Sequence, residues 1–320
     1  MTARTTVVIP NYNGIQYIDG CLSSLFQGTR VPEIIVVDNG SRDGSRELVR
    51  EKYKEVQVIE FAQNTGFSGA VNAGIRAAHT EYVLLLNNDT AVDKEFVENL
   101  EEALFREPKA FSAGARMIQM AAPEKLDGAG VLYCALGWAF SRGKDGPCEK
   151  YDQPCRVFSA CAGAAIYRRQ IFERIGVFDE SHFAYLEDTD IGYRANIYGY
   201  YNIYAPMARV YHAGSAVSGS RHNDFKVRLS ARNSIYLVYK NMPFLQLLLN
   251  LPFLSAGFLV KYLFFCKKGM GGPYLKGILE GIRLSAGKEA RERKVRFSLS
   301  HLKNYVWIQG QLWMNMARRL

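Results

Sequence analysis

The strongest constraint on the fold is the alternation of short apolar runs with helical stretches over the first 110 residues. The apolar runs are TTVVIP at 5–10, IIVVD at 34–38, VQVIEF at 56–61 and YVLLL at 82–86. The stretches between them, 15–28, 43–53 and 68–79, have the length of crossover helices. This pattern predicts an α/β fold with a mostly parallel central sheet covered by helices on both faces.

Polar side chains follow three of the predicted strands where each strand ends. Asn11 and Asn13 follow the first, Asp38 and Asn39 the second, and residues 87–89 (Asn-Asn-Asp) the fourth. Because ligands of parallel sheets bind at the carboxyl ends of the strands, we expect a site at this edge. The sequence has no GxGxxG and no GxxxxGK[ST] motif, which disfavours dinucleotide dehydrogenases and P-loop enzymes.

The next segments carry weaker signals. The glycine-rich NTGFSGAVNAGI at 64–75 predicts a turn that opens a helix, with Ser68 as its N-cap. Residues 121–160 lose periodicity, which predicts a loop-rich segment, and apolar order returns at AGAAIYRR, 162–169.

A second informative block is FDESHFAYLEDTDIGYRANIYGYYNIYAPMARVYHAG, residues 178–214. Glu187, Asp188 and Asp190 fall in the first turn of a predicted helix that Gly199 ends, and His212 ends the strand-like ARVYH. Acidic residues at a helix start also complement the helix dipole, and a histidine after a strand is often structural, so a structural role stays an alternative.

Together these residue types indicate a chemistry. Carboxylates and amides at strand ends suit a nucleotide and a hard divalent cation, Mg²⁺ or Mn²⁺, with Asp89 as a ligand and Asn88 beside it. A second carboxylate from residues 187–190 would deprotonate an attacking hydroxyl. This combination predicts inverting transfer of a sugar from a nucleotide donor.

The sequence resembles family 2 glycosyltransferases of the GT-A fold, in particular a bacterial rhamnosyltransferase-like branch. Seven segments in the family's order, over about residues 4–240, carry the resemblance: VVIPNYNG, IIVVDNGSRDGS, NTGFSGAVNAGI, YVLLLNNDTAV, AGAAIYRR, FAYLEDTDIGYRANIYGYY and RVYHAGS.

The resemblance implies a role for particular residues. Asp188 matches the catalytic base, and Asp89 and His212 match metal ligands. The donor-binding residues that it implies are Pro10, Asn11, Tyr12, Asp38, Asp43, Asn64, Gly66, Asn72, Asn88 and Arg194. A structural salt bridge is the alternative role for Arg194, and Asp190 is expected to support its neighbours.

One departure from the family pattern concerns the metal site. Asn87 and Asn88 precede Asp89 where the stricter motif begins with a carboxylate. An asparagine offers a carbonyl oxygen but no negative charge, so we expect weaker metal binding that depends on the donor's own phosphates.

The net charge of +9 arises entirely in the C-terminal tail. Residues 267–320 hold 12 Lys and Arg against 3 Asp and Glu, whereas residues 1–266 hold 28 of each kind. The body therefore gives no electrostatic reason to expect nucleic-acid binding, and the tail indicates an anionic surface.

Residues 244–266 are nearly long enough to span a bilayer, but four residues interrupt the apolar run. These are Gln246, Asn250, Pro252 and Lys261. We expect insertion at a membrane surface, or packing on the body, rather than a transmembrane helix.

The last segment has an apolar helical stripe formed by Val295, Leu299, Leu302, Val306, Trp313, Met316 and Leu320. A basic, tryptophan-containing stripe suits an anionic membrane, and packing on the catalytic domain or a second subunit is the alternative.

The cysteines indicate the compartment. Six are scattered without a CxxC pair, which predicts reduced thiols in a cytoplasmic protein, with a Cys148–Cys155 disulfide as the weaker alternative. The N-terminal apolar run is too short for a signal peptide. We therefore expect a location in the cytoplasm, with peripheral contact at the inner face of the cell membrane.

The predicted organisation is a catalytic domain over 1–243 and a basic helical extension over 244–320. The predicted reaction is transfer from dTDP-rhamnose or a UDP-hexose to a saccharide or lipid-linked acceptor in cell-surface polysaccharide synthesis, by a monomer or homo-oligomer. One alternative is a sugar-1-phosphate nucleotidyltransferase, although PNYNGIQY at 10–17 lacks the loop that this class requires. The other is a non-catalytic, sugar-nucleotide-binding subunit of a membrane assembly complex.

Overall fold

The computed structural model describes residues 3–214 and 223–319, and all four apolar runs form strands of one large sheet. These strands are β1 (Thr5–Asn11), β2 (Glu33–Asp38), β3 (Gln57–Glu60) and β4 (Tyr82–Leu86). They are neighbours in the order β4, β1, β2, β3, and each pair is parallel. Their carboxyl ends therefore share one edge, as the sequence predicts.

The predicted crossover helices are confirmed, although the first two are shorter at both ends and the third begins two residues earlier. They are α1 (Ile18–Phe26), α2 (Ser45–Lys52) and α3 (Gly66–Ala77), and α4 (Phe96–Arg106) follows the short strand β5 (Thr90–Val92). Because α3 begins at Gly66, Ser68 lies inside the helix, and its prediction as N-cap is wrong. A Cβ at Gly74 would lie 2.2 Å from Cγ1 of Val8, so α3 requires this glycine to pack on β1.

Residues 121–160 are not the loop-rich segment that their lost periodicity predicts. The strands after α4 are β6 (Ala110–Gln119), β7 (Ala122–Gly128), β8 (Val131–Cys134), β9 (Trp138–Ser141), β10 (Cys155–Val157), β11 (Ala164–Arg168) and β12 (Tyr201–His212). β8 and β9 form a separate hairpin, and the main sheet runs β10-β12-β6-β11-β4-β1-β2-β3, with β5 and β7 paired to β12 and β6. The strands within residues 121–160 have seven residues or fewer and depend on pairing with other strands, which local periodicity does not reveal.

The two faces of the sheet are covered by separate apolar layers. Alternate residues of β1 point to opposite faces, so Val7 packs with Leu22 of α1 and Leu100 of α4, whereas Val8 packs with Val71 of α3. The second layer also receives α5 (Phe172–Ile175) and α6 (Glu187–Ile197). This two-sided burial explains why the strands are apolar at successive positions.

The C-terminal extension is helical and packs on the rest of the chain. Its helices are α8 (Phe244–Lys267), α9 (Gly271–Ala286), α10 (Lys288–Arg293) and α11 (Leu302–Arg319), and α7 (Asp224–Asn241) precedes them at the end of the predicted catalytic domain. Tyr133 and Tyr193 share an apolar cluster with Leu254 of α8 and Ile308 and Leu312 of α11. The predicted boundary at residue 243 therefore crosses a shared core.

A buried ion cluster also joins the extension to the body. Nζ of Lys240, on α7, lies 2.7 Å from Asp179 and 2.9 Å from Asp190. Asp179 is also bound by Arg293 of α10 at 2.8 Å, and Asp190 by Arg194 at 3.0 Å. The neighbouring cations hold the pKa of both carboxyls well below the usual range, although burial alone would raise it. Asp190 therefore has a structural role.

Candidate active site

A cavity of about 700 Å³ lies at the carboxyl ends of β1 and β4, where the sequence predicts a site. Its volume is that of a small-molecule site. The predicted site residues that line it are Pro10, Asn11, Tyr12, Asn64, Gly66, Asn88, Asp89, Asp188 and His212. This cavity therefore brings together side chains from the end of the first strand, from the glycine-rich turn and from the block at residues 178–214.

Two predicted donor-binding residues, Asp38 and Asp43, do not line the cavity but form hydrogen bonds with residues next to it. Asp38 is buried and accepts a hydrogen bond from Nδ2 of Asn11 at 3.1 Å. Asp43 accepts one from the backbone N–H of Ile15 at 2.8 Å. Both carboxylates fix the end of β1 and the turn after it.

Asn72 and Arg194 are also outside the cavity. The Asn72 amide donates to the carbonyl of Phe178 at 2.8 Å and accepts from its N–H at 3.0 Å. The Arg194 guanidinium is nearly buried, and it binds Asp190 and the carbonyls of residues 175–177. Its position is the structural salt bridge that the sequence left as the alternative.

Asp89 and His212 meet because β5 and β12 are antiparallel neighbours, with Thr90 opposite His212. Nε2 of His212 lies 3.3 Å from Oδ1 of Asp89, and Nδ1 lies 2.9 Å from Oδ2 of Asp127. Asp127 in turn forms an ion pair with Lys144. These four side chains make a row of alternating charge along one wall of the cavity. Ser215, the last residue of the RVYHAGS motif, lies outside the described residues.

The electrostatics of this row favour a positive charge between its carboxylates. Burial alone would lower the pKa of His212, but its bonds to Asp127 and Asp89 raise it to about 9. Burial likewise opposes ionisation of Asp127, yet His212 and Lys144 lower the pKa of that carboxyl to about 2. A divalent cation beside Asp89 and Nε2 would replace the imidazolium proton as the balancing charge.

The donor atoms fit a divalent cation. Asp89 offers a carboxylate oxygen and His212 a ring nitrogen, and Asp127 orients the ring through Nδ1, which is the usual outer partner of a metal-bound histidine. No cluster of three metal-ligating side chains occurs within residues 3–214 and 223–319. The remaining coordination positions would therefore fall to phosphates and water.

The two asparagines before Asp89 shape the turn. The Asn87 N–H donates to the carbonyl of Gly163 at 2.8 Å, which ties the end of β4 to the loop before β11. Nδ2 of Asn88 donates to Oδ1 of Asn11 at 2.8 Å. Asn88 therefore links the ends of β4 and β1, which places Asp89 relative to the donor-side residues.

Glu187 and Asp188 form an acidic pair at the start of α6. Asp188 accepts hydrogen bonds from the N–H and the hydroxyl of Thr189, at 2.6 and 3.2 Å. Burial raises the pKa of Asp188, which strengthens it as a base. Burial and the adjacent Asp188 charge raise the pKa of Glu187 to about 8. Near neutral pH Glu187 is therefore mainly protonated.

A strained loop presents this pair. Phe183, Tyr185 and Leu186 have φ values of +61°, +69° and +68°, which side chains other than glycine rarely adopt. Asn233 of α7 stabilises the loop by donating to the carbonyls of His182, Ala184 and Tyr185. Sequence reasoning missed Asn233, because its partners are backbone atoms about 50 residues earlier in the chain.

The raised pKa of Glu187 makes stability depend on pH. The folded state favours the protonated carboxyl, so this contribution to stability is complete below about pH 4.5, its unfolded pKa, and is lost as the pH rises towards about 8. We expect Glu187→Gln to match the wild type at pH 5 and to be more stable at pH 8, by roughly 2 to 5 kcal/mol at about 1.4 kcal/mol per pKa unit. Urea unfolding at both pH values measures this.

The matched control is Glu102→Gln, on an exposed part of α4. An equal difference between Glu187→Gln and the wild type at pH 5 and pH 8 would contradict the protonated state assigned to Glu187.

A mostly parallel sheet whose strand ends place a carboxylate–histidine pair and a buried acidic helix start in one cavity is the arrangement of a GT-A glycosyltransferase. Residues 6–176 match the family model "Glycosyl transferase family 2". The chain therefore belongs to glycosyltransferase family 2, as its motifs predict.

Two curated relatives show the range of the family. An N-acetylglucosaminyl-diphospho-decaprenol L-rhamnosyltransferase of Mycobacterium tuberculosis is 26% identical over 243 residues, which are 66% of this chain and 76% of that protein. A low-salt glycan biosynthesis hexosyltransferase of Haloferax volcanii is 27% identical over 307 residues, which are 89% of this chain and 93% of that protein. The second similarity extends into the C-terminal helices.

Solved structures show the same fold. GalNAc-T7 with UDP, GalNAc and Mn²⁺ superposes with a TM-score of 0.61 at 17% identity, over 75% of this chain and 48% of that one. A mannosyltransferase from Pyrobaculum calidifontis with GDP-Man and Mn²⁺ has a TM-score of 0.54 at 17% identity, over 97% of this chain and 87% of that one. The predicted GT-A fold is thereby confirmed.

Proposed function

We propose that this chain is an inverting, divalent-cation-dependent glycosyltransferase that moves a sugar from a nucleoside-diphosphate donor to a saccharide or glycolipid acceptor. The observation that carries the proposal is that Asp89 and His212 line the same cavity as Asp188. One wall thus offers ligands for a cation on the donor diphosphate, and the acidic pair offers a base for the acceptor.

The reaction forms a bond from an acceptor hydroxyl oxygen to the anomeric carbon of the donor sugar. The bond from that carbon to the diphosphate breaks, and its electron pair leaves with the nucleoside diphosphate. Asp188 takes the hydroxyl proton, and attack opposite the leaving group inverts the anomeric centre. A divalent cation, when bound, neutralises charge on the leaving diphosphate. Asp89 and His212 would hold it.

Relatives support the choice of substrates. A rhamnosyltransferase and a hexosyltransferase align with much of this chain, so we propose dTDP-rhamnose or a UDP-hexose as the donor. The relative's diphospho-decaprenol acceptor supports a lipid-linked acceptor in cell-surface polysaccharide synthesis. Two neighbours were solved with a nucleotide or a nucleotide sugar and Mn²⁺, which supports a divalent cofactor, Mg²⁺ or Mn²⁺.

Metal-dependent donor binding tests the proposal. We expect one nucleotide sugar of a dTDP-, UDP- and GDP-sugar panel to raise the melting temperature with Mn²⁺ or Mg²⁺ and not with EDTA, because a ligand that binds only the folded state stabilises it. Asp89→Ala should abolish most of the metal-dependent shift, and Asp93→Ala, directly after β5 and outside the cavity, is its control. A full shift in Asp89→Ala would contradict the metal assignment.

The helix α8 has an inverted polarity that supports contact with a membrane. Its polar residues face inward: Gln246 accepts from the Tyr193 hydroxyl, and Asn250 exchanges hydrogen bonds with Gln309 of α11. Apolar residues of the same helix face outward, including Leu245, which is 75% exposed. A helix of this polarity is stable where its outer face meets lipid.

Exposed apolar side chains also occur on α9 and α11. We call the exposed apolar residues of these three helices the apolar ridge, and its members are Leu245, Leu248, Leu259, Leu263, Leu275, Leu279, Ile282, Leu302, Val306 and Trp313. Of the predicted stripe, Val295 and Met316 pack on the apolar cluster of Tyr133 and Tyr193, and the last member, Leu320, lies outside the described residues. The other members are exposed: Leu299, Leu302, Val306 and Trp313. Alone in the described part of the chain, α8 is long and apolar enough to cross a membrane, by length and composition. Because one side of α8 packs on the body, we propose peripheral attachment to an anionic membrane surface.

Vesicle binding by the full chain tests this attachment. We expect the triple variant Leu245→Gln, Leu248→Gln, Leu263→Gln to bind phosphatidylglycerol-containing vesicles at least tenfold more weakly in cosedimentation, because it removes apolar area that would enter the interface. Phe105→Gln removes a similarly exposed apolar side chain on α4 and should leave binding unchanged. Equal binding by the triple variant and the wild type would exclude the ridge as the attachment surface.

A further inference from the structure

A second cavity, of about 560 Å³, lies beside the candidate active site. It is formed by the β8–β9 hairpin, the turn after β9, the start of β10 and the end of α11. We call it the basic cavity, because its charged lining residues are Arg142, Lys144, Arg156, Arg318 and Arg319, and none of the described lining residues is an Asp or Glu.

Most of this charge is unbalanced. Lys144 pairs with Asp127, but across residues 3–214 and 223–319 the four arginines make no ion pair with a carboxylate. Nη1 of Arg142 is buried and finds no hydrogen-bond partner in the same described ranges. Buried donors of a charged group cost free energy when they are unpaired, so the cavity is suited to an anion.

Aromatic rings hold three of the guanidinium groups in place, one of which is Arg319, 5.5 Å from the centroid of the Phe140 ring. Arg142 lies over the rings of Tyr151 and Tyr204, at 4.8 and 5.7 Å from their centroids, and Arg156 lies 3.9 Å from the centroid of Tyr201. Stacking occupies the faces of the guanidinium planes and leaves their N–H edges for a ligand. Planar forks of this kind match phosphate oxygens.

The basic cavity adjoins both the active site and the membrane-facing helix. Phe140, Ser141 and Lys144 line both cavities. On the other side, the indole N–H of Trp138 in β9 donates to the carbonyl of Gly257 in α8 at 3.1 Å. An anion bound here would therefore lie next to the candidate active site, beside the hairpin that contacts α8.

We propose that the basic cavity binds the phosphate or diphosphate that joins the acceptor saccharide to its carrier lipid. The proposal rests on the proposed function and adds the substrate class: the acceptor is an isoprenyl phosphate- or diphosphate-linked saccharide. Its sugar would reach Asp188, its phosphates would meet Arg142, Arg156 and Arg319, and its lipid would follow α8 into the membrane. The hairpin that lines the basic cavity contacts both the candidate active site and α8, which supports this path.

Binding of geranyl diphosphate, a water-soluble isoprenyl diphosphate, tests the proposal. We expect calorimetric titration in EDTA to show binding to the wild type and about tenfold weaker binding to Arg156→Ala and to Arg319→Ala, because each loses charge-assisted hydrogen bonds. Arg106→Ala, an exposed arginine of α4, is the matched control and should bind as the wild type does. Equal binding by the wild type and both cavity variants would overturn the proposal.

Two further arms separate the sources of the phosphate. If the natural ligand is a phospholipid headgroup, Arg156→Ala should bind phosphatidylglycerol vesicles more weakly than the wild type and bind geranyl diphosphate equally well. That result would overturn the acceptor assignment. If the ligand is instead the diphosphate of the donor, Arg156→Ala should show a smaller nucleotide-sugar thermal shift than the wild type. That result would also overturn the acceptor assignment. If no nucleotide sugar shifts the wild type while geranyl diphosphate binds through Arg156, the proposed function fails and the isoprenyl diphosphate site stands.

Discussion

Asp188→Asn is expected to lower kcat for sugar transfer by roughly 100- to 10,000-fold, the range that general-base catalysis contributes. The substitution keeps the shape of the side chain, and its oxygen can still accept from the N–H and hydroxyl of Thr189. The amide nitrogen has no lone pair that takes a proton. Donor binding, measured as a metal-dependent thermal shift, should therefore persist while transfer is lost.

The pH profile gives a second readout of the same assignment. Burial raises the pKa of Asp188, so the acid limb of kcat/KM in the wild type should lie above the usual range of an aspartate. At lower pH the base is protonated and the rate falls.

Glu187→Gln is the control for the neighbouring carboxyl. Because the pKa of Glu187 is raised to about 8, this group is neutral near pH 7 and the glutamine resembles its protonated form. We expect transfer at pH 7 to change only a few-fold, as a neutral side chain of the same size replaces another. Wild-type transfer by Asp188→Asn, or an equal loss in Glu187→Gln, would show that Asp188 is not the base.

Lys240→Met is expected to cost about 3 to 5 kcal/mol of unfolding free energy, which is the usual effect of removing one partner from a buried ion pair. The Lys240 side chain is 4% exposed, and its ammonium group is the cation that Asp179 and Asp190 share. Methionine fills the same space without a charge, so the loss reports electrostatics more than packing. The unfolding midpoint in urea measures it.

The matched control is Lys109→Met, at an exposed position just before β6. Its expected effect is within about 0.5 kcal/mol, as for most surface substitutions. If Lys240→Met unfolds at the same urea concentration as the wild type, the cluster does not stabilise the junction between body and extension.

The first half of the fold could be predicted from sequence because its signals are local. Each of β1 to β4 is an apolar run of the right length, and each crossover helix carries its own period. The strands between residues 121 and 160 could not be predicted in this way. β7, for example, pairs with β6 through two register shifts, and its consecutive residues Pro123, Glu124 and Lys125 are all exposed, so that no period is visible.

The site residues also divide into those with a local sequence signal and those without one. Asp89, Asp188 and His212 stand at element ends, in motifs that can be read along the chain. Asp127 was missed, since its place beside His212 follows from the pairing of β7 and β12 with β6. The one local signal was the Asp-Gly sequence at 127–128, which indicates a turn as readily as a site.

The inverted polarity of α8 also bears on how the enzyme would meet its acceptor. A carrier lipid diffuses within a plane, and an enzyme held on that plane by α8 searches two dimensions instead of three. Confinement to the membrane surface raises the effective concentration of the acceptor around the enzyme without any new contact between the two molecules. The rate of glycan extension would then follow the number of acceptors per unit area of membrane, and not their number per cell volume.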